Sequence, residues 1–187
     1  MAPLFLFVAL LAAEPLQFQG IGMDTGLESF TTRFPRSSHE FWKGVITDFR
    51  DQPDHYLELI RHGTGTYIAR LTPLESVAHL YYFQADVVNG VWTRLRLSFE
   101  RPYGEGVASP IQYREHAFSR CPPCAGFLAE LTKTYGKPAG PESNIEEILE
   151  SLTYTWTAPE GQMSLVCGKF PDHTMVFAQH VELRPKR

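Results

Sequence analysis

Apolar and polar positions divide the chain into segments of different period. Leu16–Gly22 places Leu16, Phe18 and Ile21 loosely in alternation, which predicts a short strand. A helix is predicted next. Thr25 and Glu28 have capping-box spacing, Leu27, Phe30 and Phe34 fall on one helical face, and Pro35 ends the run. Ser37 and Glu40 repeat the spacing ahead of Phe41, Trp42 and Val45, predicting one or two further helical turns.

The middle of the chain has the period of strands. Tyr67, Ala69 and Leu71 fall at alternate positions, and so do Val77, His79 and Tyr81. Asn89-Gly90 predicts a type I′ hairpin turn, because that turn needs positive φ at both central residues. After the turn, Val91, Leu95, Leu97 and Phe99 are expected to face inward, with Trp92, Arg94, Arg96 and Ser98 on the opposite face. Arg101–Pro110 is loop by composition.

A second helix opens at Pro122, buries Phe127, Leu128, Leu131 and Tyr135, and closes at Gly136 and Pro138. Ser143 with Glu146 has capping-box spacing again. Ile145, Ile148, Leu149 and Leu152 then predict a third helix, with Glu146, Glu147 and Glu150 on its solvated face. Thr153–Thr157, Met163–Cys167 and Met175–Val181 follow as three strands. The expected fold class is therefore α+β: an antiparallel sheet with helices packed on one face. Because helix-then-strands occurs twice, residues 16–99 and 100–187 are read as two half-repeats sharing one sheet. Nucleotide-binding glycine motifs and βαβ alternation are absent from the sequence.

Composition narrows the function classes. The 187 residues suit a single domain, and 43% hydrophobic residues exclude a disordered chain. Lys and Arg number 17 against 21 Asp and Glu, a net charge of −4. With no basic run, that balance excludes the electrostatic footprint of a nucleic-acid binder. Met1–Ala13 carries no charge, and its apolar run Leu4–Leu11 is far short of the roughly 20 residues that span a bilayer. It reads as a secretory signal with cleavage after Ala12-Ala13, leaving residues 14–187 as one α+β domain. No cysteine follows the run, so no lipid anchor and no stable membrane attachment is expected. The protein is expected to be periplasmic or secreted.

Four stretches together resemble a class of small exported bacterial α+β proteins. They are Phe18–Phe30, Leu80–Phe99 with its Asn-Gly hairpin, Leu128–Pro138 ending Y-G-K-P, and the aromatic strand within Leu152–Val166. Their order is similar to the helix-and-sheet repeats of β-lactamase inhibitor proteins and of the small lipoproteins of the outer-membrane barrel-assembly machinery. The resemblance covers about two-thirds of the chain and is architectural. It implies work by protein–protein contact rather than by chemistry, and it carries over no functional residue.

Cys121-Pro122-Pro123-Cys124 is the sharpest chemical feature. A C-x-x-C at a helix N-terminus is the arrangement of thiol–disulfide exchangers, where the helix dipole stabilises the first thiolate. Thioredoxin-like folds place that motif after a buried strand, and Gln112–Arg120 is too polar for one. The other reading is a structural bridge in an oxidising compartment, either Cys121–Cys124 or one of these to Cys167, with Cys167 expected as the thiol left over. Zinc wants four ligands, and no H-x₃₋₅-H partner exists. A c-type haem site would need a His after Cys124. No metal or other cofactor is therefore expected.

The histidines are scattered without ligand spacing, and G-x-S-x-G is absent. Phe41, Trp42, Tyr81 and Tyr82 are candidates for a binding surface, since adjacent strand residues face opposite sides and one of each pair faces away from the core. The sequence favours a non-enzymatic module that binds another protein, with no catalytic residue. The alternative is an oxidoreductase with Cys121 attacking and Cys124 resolving.

Overall fold

The computed structural model describes residues 15–26, 29, 32–36, 38–42, 46–48, 63–71, 80–99, 110–146 and 149–186. The expected signal segment lies outside them, as do Leu27, Glu28 and Phe30 of the first expected helix, the alternation at Val77 and His79, and the loop 101–109.

Most described residues belong to one antiparallel sheet. Its strands are β3 (Ser38–Trp42), β4 (Ile46–Asp48), β5 (Gly65–Arg70), β6 (Tyr82–Val88), β7 (Val91–Ser98), β8 (Ala139–Glu146), β9 (Leu149–Ala158), β10 (Gly161–Lys169) and β11 (Val176–Pro185). Across the sheet they run β4-β3-β5-β6-β7-β11-β10-β9-β8, so the meanders β5-β6-β7 and β8-β9-β10-β11 meet at their last strands, and β3 lies beside β5 with β4 outside it. A small hairpin, β1 (Gln17–Phe18) with β2 (Ile21–Gly22), precedes them. The expected single strand is thus folded back at Gln19-Gly20, both with positive φ, while Leu16, Phe18 and Ile21 are buried as expected. Ser29, Thr32 and Arg33 are helical, and Phe34 is buried. Two helices follow β7: α1 (Pro110–Arg120) and α2 (Cys124–Tyr135).

Side chains alternate across the sheet, and one face forms the core. Tyr67, Ala85, Leu95, Leu183, Met163 and Trp156 lie in one row of paired residues, and all are buried. Over them pack Cys124, Phe127 and Leu131 of α2, together with Phe18 and Ile21 of the N-terminal hairpin. Phe127 stacks on Phe99 at 4.8 Å and meets Phe18 edge-on at 5.3 Å. Tyr135 Oη receives the Gln17 N–H and donates to the Gln17 carbonyl, tying the hairpin to α2. The helix closes at Gly136 as expected, with Gly136 at φ 82° and its carbonyl accepting Trp156 Nε1–H at 2.8 Å.

α1 belongs to a different cluster. Tyr113, Ala117 and Cys121, spaced by four, pack with Leu149, Phe170 and Phe177. Phe177 and Ala178 are neighbours in β11 and point to opposite faces, and Ala178 belongs to the α2 cluster. The two described helices therefore do not share one buried cluster, contrary to the expectation of helices on a single face. The chain crosses between the clusters at Cys121–Cys124. There Pro122 accepts the Ala178 N–H and Pro123 bridges to Phe177, filling the place beside β11 that β7 vacates after Ser98. Prolines suit this position because they are needed only as acceptors.

Three expectations are corrected. Of the third helix, 143–152, residues 143–146 are the end of β8 and 149–152 the start of β9, while Glu147 and Ile148 lie outside the described residues. The amphipathic spacing is real, but pairing of β9 with β10 from Glu150 to Ala158 outweighs local propensity, and Ile145 is left 76% exposed. Glu150 consequently sits in a strand, accepting from Ser143 Oγ and 3.8 Å from Lys169 Nζ. The helical turns expected around Phe41 and Trp42 are β3, drawn into the sheet by five pairs with β5. In β7 the inward set is Trp92, Leu95 and Leu97, with Val91 64% exposed. A bulge at Thr93, where Asp86 pairs with Arg94 but Val87 with Trp92, flips the strand's first residues. α1 itself had no expectation. Its polar composition concealed the Tyr113–Ala117–Cys121 stripe.

Candidate functional site

The side of the sheet opposite the α2 cluster is polar across its centre. Row by row it carries Thr66, Asp86 and Arg94. Next come Gln84, Arg96, Glu182, Ser164 and Thr155, and then Tyr82, Ser98, His180, Val166 and Thr153. The Asn89-Gly90 turn positions the first of these. Asn89 and Gly90 have φ of 49° and 76°, and their N–H groups bond Thr64 Oγ1 and the Gly63 carbonyl. The hairpin is thus braced from β5, and its tip presents Val88 and Val91, paired across the turn and 46% and 64% exposed.

Glu182 is the electrostatic centre. Arg96 Nη2 lies 3.1 Å from one carboxylate oxygen, and Arg184 Nε donates to the other. Burial alone would raise this carboxyl, but the hydrogen bonds from Arg184 and Arg96 and their charges outweigh it and hold Glu182 below the usual carboxylate range. His180, one position earlier on the same face, is brought down to about 4. Burial is the main cause, and the positive charge of Arg96 adds to it. It is therefore neutral at pH 7. Arg94 pairs with Asp86 at 2.7 Å, Asp86 also accepts from Thr66, and Thr155 and Ser164 share a hydroxyl hydrogen bond. Arg96 Nε is buried with no hydrogen-bond partner among the described residues, an unusual cost on a face otherwise well paired.

Two depressions mark this face. One, of about 380 Å³, lies over β7–β11 and is lined by Arg96, Thr155, Ser164, His180 and Glu182 among others. The other, of about 790 Å³, lies at the hairpin end, between Asp86, Val88 and Arg94 on one side and Gln162, Arg184 and Lys186 on the other. Gln162 and Arg184 line both, so the two adjoin. The sheet edge is a poorer surface for contact. β8 carries Pro141, Glu142 and a break in register between Ala139 and Glu142, features that blunt an edge against strand pairing.

Of the two expected arrangements, the bridge from one cysteine of the C-x-x-C to Cys167 is the one formed. Cys124 is bonded to Cys167 across 43 residues, with Cα atoms 5.9 Å apart, and Cys121 is the remaining thiol. This corrects the expectation that Cys167 is the one left over. Cys167 pairs with Leu152 and Ala178 on the α2 side of the sheet, where Cys124 reaches it, while Cys121 lies in the α1 cluster. Cys121 is 5% exposed, and its N–H bonds the Ala117 carbonyl. It thus continues the C-terminal turn of α1, an end of a helix dipole that opposes rather than supports a thiolate. The helix N-terminus expected at Cys121 belongs to Cys124.

Of the aromatic candidates, Phe41 and Trp42 are in β3, in register with Tyr67 and Thr66. Tyr82 opens β6 and Tyr81 precedes it, both partly buried, and neither lines the depressions. The residues that do line them were missed as a group, although alternation in Thr153–Thr157 and Gln162–Val166 signals their polar face. Among the described residues, no three His, Cys, Asp or Glu side chains are grouped to hold a metal ion, and no helix is long and apolar enough to cross a membrane.

No protein-family model, curated protein or solved structure matches this chain. The open face is therefore read from its own chemistry.

Proposed function

We propose that this protein is an exported, non-enzymatic binding module whose working surface is the open polar face of the sheet, with another protein as partner. The observation that carries the reading is the pair of adjoining depressions on that face, framed by strands and lined by half-buried Arg, Glu, His, Thr and Ser side chains. Strands hold such groups in fixed geometry, so docking costs little ordering entropy. The resemblance to β-lactamase inhibitor proteins and barrel-assembly lipoproteins favours the same kind of work. The half-repeat reading is supported by the strand order, in which β7-β6-β5 and β11-β10-β9 run outward from one central pair. Export is supported by the apolar leader and accords with the Cys124–Cys167 bridge. Against thiol–disulfide exchange weigh the burial of Cys121 and the engagement of Cys124 by Cys167 rather than by Cys121.

The test is photo-crosslinking from single positions in the producing cell. Benzoylphenylalanine at Thr157 or Gln162, both exposed on the open face, should give one discrete protein adduct, whereas Gly126 or Lys133 on α2 should give none. Equal adducts from both sets, or none from either, would overturn the reading. Intact mass of the exported chain tests the remainder, with a mature start near Glu14 expected.

A further inference from the structure

We infer that the partner presents an acidic segment to the hairpin end of the open face, seated between β6–β7 and the ends of β10 and β11. This rests on the reading of that face as the binding surface and names the chemistry it receives. The chain as a whole is net −4, yet the 790 Å³ groove reverses the sign: Arg94, Arg184 and Lys186 line it against the single carboxylate of Asp86. Asp86 and Arg94 answer each other within the sheet, and Arg184 Nε donates to Glu182, so the net positive charge the groove offers is that of Arg184 and Lys186 less the share taken by Glu182. Arg184 and Lys186 are both exposed at the rim. A groove of net positive charge on a chain of net negative charge steers a carboxylate-rich segment toward it.

Two further features fit a protein segment rather than a nucleic acid. Val88 lines the groove 46% exposed, beside Val91, and offers an apolar anchor at a braced hairpin tip. Glu182 sits within the same face, where a continuous phosphate backbone following the cations would meet it. An acidic peptide with an occasional apolar side chain meets both conditions.

The mature protein, isotopically labelled, is titrated with a decaglutamate peptide, with decalysine and with a thymidine decanucleotide. Decaglutamate should move backbone amide signals around Thr93, Arg94, Gln162 and Arg184, and its affinity should fall by about tenfold or more between low and high salt. The double variant R184A/K186A, with unchanged circular dichroism, should lose about tenfold in affinity. Equal binding of decalysine, tighter binding of the decanucleotide, or shifts confined to other surfaces would overturn the inference. If open-face crosslinks persist while decaglutamate leaves the groove unmoved, the acidic chemistry fails and the binding face stands. If both are absent, both fail.

Discussion

The two faces of the sheet are built from the same strands and differ in what holds them. The covered face is dry and aromatic. Tyr67, Phe83 and Trp92 meet edge to face at 5.8 and 5.4 Å, and the Cys124–Cys167 bridge ties α2 onto the same surface. The open face is held by cross-strand hydroxyls and by ion pairs, with Glu182 between two arginines and Asp86 between Arg94 and Thr66. Burial on the first face stabilises the fold through area removed from water, roughly 25 cal/mol per Å². Partly exposed ion pairs on the second contribute about 1 kcal/mol or less each. The larger buried cluster therefore lies on one face, and the centre of the other is held by weaker polar contacts.

The sharpest way to break this comparison is on the dry face. Phe83→Ala removes a fully buried ring contacting Tyr67 and Trp92, and should cost about 3–5 kcal/mol in urea-monitored unfolding. A loss under about 1 kcal/mol would mean the face is loosely packed. The double variant C124A/C167A removes a cross-link spanning 43 residues and should cost roughly 2–4 kcal/mol. If reduction of the wild type leaves the melting temperature unchanged, the bridge does not hold α2 to the sheet.

His180 supplies a pH test of the open face. Its folded value of about 4 lies below its ordinary 6.5, so the unfolded chain binds its proton first on acidification. Its contribution is complete above about pH 6.5, declines as pH falls, and is exhausted below about 4, a change of roughly 3 kcal/mol at most. Glu182, held low by hydrogen bonds from Arg184 and Arg96, begins to lose its own contribution below its ordinary 4.5, at the acid end of the His180 window. His180→Gln should flatten stability between pH 6.5 and 4, and a slope identical to wild type would show that another group carries it. The smallest effect is expected at Thr157→Ala, an exposed open-face position in β9, within about 0.5 kcal/mol of wild type. A much larger loss there would erase the contrast between the faces.

Legibility in the sequence followed the range of the interactions involved. The Asn89-Gly90 turn, the Gly136 helix end and the alternation of β10 were readable because one or a few neighbouring residues decide them. Residues 143–152 misled because Ile145, Ile148, Leu149 and Leu152 satisfy a helical period equally well, and only the partner strand decides between the two. The inversion at Val91 and Trp92 comes from one bulged residue, Thr93, whose effect on every side chain before it has no local signature. The candidate site was least legible. Arg96 and Glu182 are 86 positions apart, and neither stands out until β7 and β11 lie side by side.

By itself, then, the amino-acid sequence determined the fold class, the central hairpin, the second helix and three of the strands after it, because backbone propensity and period act over a few residues. It also determined the net charge and the presence of three cysteines. Tertiary structure decided which cysteines bond, since Cys121 and Cys124 are three residues apart but belong to clusters on opposite faces of β11. It likewise decided which polar residues share the open face. Register between strands distant in sequence brings those side chains together, and register is fixed by packing the opposite, apolar face.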